Sequence, residues 1–88
     1  MKVSNMYSNN GNQVPNQFII DNGNKTIFQS YKTIVAVEEN GKVTLDINAL
    51  EYSNTTLKYL KQFLNTSDSK KQLQAKIENS FYQVEDFN

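Results

Sequence analysis

The stretch "TIVAVEENGKVTLDI", Thr33 to Ile47, decides the fold. Val43, Leu45 and Ile47 alternate with Lys42, Thr44 and Asp46, and a period of two is the mark of a half-buried strand. Asn40-Gly41 stands just before it, and both residues tolerate positive φ, so the stretch reads as a hairpin. Two registers compete. A two-residue loop at Asn40-Gly41 sets Val37 opposite Thr44 and Val35 opposite Asp46. A three-residue loop, Glu39-Asn40-Gly41, sets Val37 opposite Val43, Val35 opposite Leu45 and Glu38 opposite Lys42. The second gathers apolar residues on one face and pairs opposite charges, each such pair contributing roughly 0.2–1 kcal/mol. It is therefore the expected register, with Gly41 at positive φ in a bulged turn.

Upstream, "NQFIIDNGNKTIFQSY" reads as another hairpin around Asn22-Gly23. Residues 1–15 are rich in Asn, Ser and Gly, with Val3, Met6, Tyr7 and Val14 as the apolar anchors. So few anchors do not offset the entropy of ordering, which predicts a flexible N-terminal arm over 1–15 and one small domain over 16–88. The alternative is an arm docked through Met6 and Tyr7.

Downstream, "EYSNTTLKYLKQFL" (51–64) is read as a helix start. Ser53, Asn54 and Thr55 can each cap it. Leu57, Leu60, Phe63 and Leu64 form one stripe, with Tyr59 off it. Leu60 and Phe63 are expected in the core. Tyr52 is expected to staple onto Leu57 or the sheet, and Thr55 and Thr56 to face outward. A substrate-holding loop is the competing reading of the same residues. A second helix from about Asp68 to Asn79 has Leu73 and Ile77 as neighbours one turn apart. "FYQVEDF" can return as a last strand. The order predicts an α+β fold: an antiparallel sheet of two hairpins, about four strands with a possible fifth at the C-terminus, and two helices on one face.

Composition removes several kinds of chemistry. The 88 residues contain no cysteine and no histidine, every cation is a lysine, and the formal net charge is zero. The commonest general base and metal ligand are thus missing, as are disulfides. Glu38 and Glu39 are strand neighbours that point to opposite faces, so they do not make a catalytic pair. The three glycines stand singly, which excludes a Gly-rich phosphate loop. The expectation is a non-enzyme with no cofactor and no metal centre. No apolar run approaches the ~20 residues of a membrane span, and a soluble, cytoplasmic protein is expected.

Two binding readings remain. Tyr31, Tyr52, Tyr59 and Tyr82 are candidate anchors for a protein partner, because tyrosine supplies contact area at low entropic cost. Lys58, Lys61, Lys70, Lys71 and Lys76 are set against Asp68 alone between residues 58 and 76, and such a face could contact phosphates of a nucleic acid. Lysines on a helix are more often a solvated face, and without arginine no bidentate guanine contact is available.

The segments "FQSYKTIVA", "NGKVTLD" and "YSNTTLKY" followed by "QFL" resemble a family of small proteins encoded by phages and plasmids of Gram-positive bacteria. Its motifs are F-x-S-Y-x-x-x-x-A, G-K-x-x-L-D and Y-S-x-T-T-x-K-[YH]. Here they fall on Phe28, Ser30, Tyr31 and Ala36; on Gly41, Lys42, Leu45 and Asp46; and on Tyr52, Ser53, Thr55, Thr56, Lys58 and Tyr59, with Phe63 and Leu64 matching after them. The resemblance runs from about Asn12 to Leu64. It departs at Leu50, where the family often has tryptophan, and at Leu57 and Leu60, which are often small or polar there. It implies origin on a mobile element in a bacterial host. It further implies a protein that binds and blocks a host protein, such as a defence or nucleic-acid enzyme, CRISPR effectors included.

Overall fold

The computed structural model describes all 88 residues. Six strands and two helices follow one another: β1 (Lys2–Tyr7), β2 (Gln13–Asp21), β3 (Lys25–Ser30), β4 (Thr33–Glu39), β5 (Lys42–Asp46), α1 (Asn54–Leu64), α2 (Lys70–Glu78) and β6 (Gln83–Glu85). The strands form one sheet in chain order. β1 to β5 are an antiparallel meander, and β6 joins the outer edge of β5 in parallel. Both helices contribute to a single core on one face, so the architecture is α+β.

The register of the β4–β5 hairpin corrects the expectation. Ala36 pairs with Leu45, Val37 with Thr44, Glu38 with Val43 and Glu39 with Lys42, which is the two-residue loop. Asn40 and Gly41 sit at φ 55° and 81°, the combination whose twist matches that of the flanking strands. The Glu38 carboxylate accepts the Gly41 N–H at 2.9 Å. Apolar residues still collect on one face, but by another device. β3 and β4 slip by one residue between Phe28–Ala36 and Gln29–Ile34, leaving Val35 without a partner. Such a bulge turns two consecutive side chains to the same side, and Val35 and Ala36 are both fully buried.

The first fifteen residues are not a loose arm. β1 pairs with β2 from Lys2–Asp21 to Tyr7–Gln13, and Met6 is buried in the core. The Asn5 side-chain amide donates to the Val14 carbonyl at 2.9 Å, and that of Gln62 to the Tyr7 carbonyl at 3.0 Å. Counting side-chain anchors underestimates a segment whose backbone groups are satisfied by a neighbouring strand. The upstream turn also shifts by one residue, with Gly23 (φ 95°) and Asn24 between Asn22 and Lys25.

On α1 the inward face is Thr56, Tyr59, Leu60 and Phe63, spaced i, i+3, i+4 and i+7. Leu60 is fully buried and the Phe63 ring stacks on Phe28 at 5.8 Å, while Leu57 and Leu64 lie at the margins. The stripe is centred nearer Tyr59 than the run of leucines suggests. On α2, Ser69 and Gln72 form a reciprocal capping box, and Leu73 enters the core.

Opposite residues on neighbouring strands share a face. Ser4, Ile19, Phe28, Ala36 and Leu45 form the row beneath the helices. The other face has a row of Val3, Ile20, Ile27, Val37 and Thr44, with Phe18, Gln29 and Ile34 beside it and Lys25, Glu39 and Lys42 beyond. Its apolar members take no part in the core cluster, and neither helix covers them.

Candidate functional site at the start of the first helix

Two stretches distant in sequence meet at one end of the sheet. β3 turns into β4 through Tyr31 and Lys32, with Tyr31 at φ 56°. An aromatic side chain in the left-handed region is uncommon. It is held there by its N–H, which donates to the Asn16 carbonyl at 2.7 Å, and by its carbonyl, which accepts from the Gln29 amide at 2.7 Å. α1 begins directly beside this turn. Ser53 caps it, its hydroxyl accepting the Thr56 N–H at 3.0 Å.

Between the two lies a cleft of about 250 Å³ lined by Ser30, Tyr31, Thr33, Tyr52, Ser53 and Thr56. Its floor is a hydroxyl chain. Ser30 and Thr56 oxygens lie 2.9 Å apart, and Ser53 donates to Thr56 at 3.1 Å. Thr56 is buried and bonded, which corrects the expectation that it faces outward; Thr55 does face solvent. Of the two expectations for Tyr52, Leu57 or the sheet, the sheet is the one met. The Tyr52 hydroxyl donates to the Asp46 carboxylate at the end of β5. Asp46 is itself buried and accepts three further hydrogen bonds, from Asn48 N–H, Phe87 N–H and the Asn88 side chain. Burial opposes its ionisation, but the four donors together hold its carboxyl below the ordinary value of 3.8. Burial, then the hydrogen bond and charge of Asp46, push Tyr52 up to about 12.

The four candidate tyrosines divide into two pairs. Tyr31 (58% exposed) and Tyr52 (37%) line the same cleft, whereas Tyr59 (5%) and Tyr82 (6%) belong to the core. The candidate lysines are not gathered in the same way. Lys70 pairs with Glu51 at 3.2 Å and Lys76 with Asp68. Lys58 lies over the Tyr59 ring, 5.4 Å from its centroid. Lys71 shares a groove with Glu51 and Glu78, and Lys61 is half-buried near the end of α1. The parts of the site that sequence reading missed are Ser30, Thr33 and the structural use of Asp46. The available signal was that Ser30 and Tyr31 stand in one motif and Tyr52, Ser53 and Thr56 in another.

No helix is long and apolar enough to cross a membrane. No curated protein and no solved structure matches the chain. The chain belongs to a family of unknown function, DUF8033, which it matches over residues 1–79.

Proposed function

From membership of a family without an assigned activity, we propose that the protein is a non-enzymatic binding protein that acts by contact with another protein. The observation that carries this reading is the pairing of Tyr31 and Tyr52 on one cleft. The Tyr31 backbone is fixed by its bond to Asn16, and the Tyr52 ring by its hydroxyl's bond to Asp46. Residues held this way bind with a reduced ordering cost, which is how tyrosine anchors work at interfaces. The non-enzymatic part is supported by the use of Asp46: this buried carboxylate is occupied by four structural hydrogen bonds, two on each oxygen. The motif resemblance adds a mobile-element origin, a cytoplasmic site of action in a bacterial host and inhibition of a host defence or nucleic-acid enzyme. The lysine faces favour a nucleic-acid role less, because Lys70 and Lys76 would have to leave acidic partners to meet phosphate.

The test is capture from a nuclease-treated bacterial lysate on immobilised protein, comparing wild type with Tyr31→Asn and Tyr52→Phe. Asparagine tolerates the Tyr31 backbone, and phenylalanine keeps the Tyr52 ring. A protein retained by wild type and by Tyr52→Phe, but lost with Tyr31→Asn, supports the reading. Capture that vanishes on nuclease treatment, or that survives Tyr31→Asn unchanged, overturns it.

A further inference from the structure

The face of the sheet turned away from the helices is a second surface, independent of Tyr31 and Tyr52. Val3, Ile20, Ile27 and Val37 lie side by side across four strands, and Phe18 and Ile34 widen the belt. A sheet whose two faces are both apolar is ordinarily covered on both. Beyond the belt, at the turn end, the charges run Lys25, Glu39, Lys42 on β3, β4 and β5.

From this pattern we infer that the face is covered by a second copy of the chain, related by a two-fold axis that lies between the two sheets, runs along the strands and passes between β3 and β4. Such an axis keeps each row over the same row of the partner and reverses the strand order. Lys25 then faces the partner's Glu39, and the same pair recurs across the axis. Ile27 meets the partner's Val37. β4, β5 and β6 carry a hollow of about 370 Å³ whose lining includes Val37, Thr44 and Phe87, with Lys25, Glu39 and Glu85 as charged groups around it. The same axis sets the partner's Ile27 and Ile20 above Val37 and Thr44, at the mouth of this hollow. The zero net charge of the chain sets no repulsion against pairing. Strands about 4.8 Å apart give a face roughly 24 Å wide. Its side chains offer on the order of 600 Å² per copy, the lower end for a specific pair, so the dimer forms in the micromolar range.

The full chain is examined by sedimentation equilibrium from about 5 to 500 µM, a range that brackets the expected constant. Lys25→Glu places a carboxylate against the partner's Glu39, and Glu39→Lys places an ammonium against the partner's Lys25. Each variant alone dissociates at least about tenfold more readily than wild type. In an equimolar mixture of the two, both intermolecular pairs are attractive again, and dimer returns. Circular dichroism confirms that each variant is folded. A wild type that stays monomeric throughout, single variants that dimerise as well as wild type, or a mixture no more associated than its components would each overturn the inference. Binding of another protein at this face by a monomeric chain gives the first of these results. Loss of dimer leaves capture through Tyr31 unchanged, so the two readings fail separately.

Discussion

The Tyr52 hydroxyl donates to the Asp46 carboxylate, tying the residue before the α1 cap to the last residue of β5. This neutral–anionic contact joins the Ser30–Thr56 bond in setting the helix start against the sheet, and the two groups shift in opposite directions. Asp46 ionises more readily folded than unfolded. Its contribution is complete above the ordinary carboxylate value of 3.8 and is lost as pH falls through its lower folded value. Tyr52 is held protonated, from 10.0 up to about 12. Its contribution is complete below pH 10 and is lost as pH rises toward 12. Urea unfolding as a function of pH should show both limbs. Tyr52→Phe should remove the alkaline limb and leave part of the acid one; an unchanged alkaline limb would assign it to another group.

Thr56 is buried and bonded to Ser30, whereas Thr55 is exposed. Thr56→Val keeps the shape and strands the Ser30 hydroxyl, so it should cost about 1–3 kcal/mol. Thr55→Val should fall within about 0.5 kcal/mol of wild type. Denaturant midpoints of the two variants decide the matter, and a Thr56→Val protein as stable as wild type would mean that the hydroxyl chain contributes nothing.

Tyr31 occupies the left-handed region at φ 56°, where a side chain costs roughly 1–2 kcal/mol. Tyr31→Gly should therefore hold or raise the melting temperature while abolishing partner capture. The opposing signs distinguish a contact residue from a structural one. A destabilised Tyr31→Gly protein would show that the ring is needed for packing.

Leu60 is fully buried at the centre of the α1 face. Leu60→Ala should lower stability by about 2–5 kcal/mol, whereas Leu57→Ala, at the margin, should cost less. Equal losses at the two positions would return the stripe to the leucine-centred reading.

How much of this was legible in the sequence depends on which residues did the signalling. The alternation of Val43 and Leu45, the Asn-Gly turn and the Ser53 cap are local signals, and each led to the element observed. The β4–β5 register was misjudged because it depends on the partner strand. Val35 is turned inward by a slip against β3, which nothing within Thr33–Ile47 announces. β1 was missed for the same reason, since its stabilisation is backbone pairing with β2. Tyr59 and Tyr82 look like surface tyrosines in any local window, and only the packing of α1 and α2 on the sheet buries them. The cleft at Tyr31 and Tyr52 is a long-range product as well, although both halves of it were visible as motifs.

The parallel attachment of β6 gives the molecule a direction in time. Each of β2 to β5 pairs with the strand made immediately before it, so the meander can grow as the chain emerges, with short loops to close. β6 cannot. Its partner β5 lies before both helices, and the Asn88 side chain reaches back 42 residues to Asp46. Asn88 also bonds both the N–H and the carbonyl of Ile34, completing a clasp across β4 and β5. Short edge strands held by few contacts across a long loop are commonly the first to open. Amide exchange should therefore be fastest along Gln83–Glu85 and at Phe87, and their opening frees Asp46 while β1 to β5 stay protected.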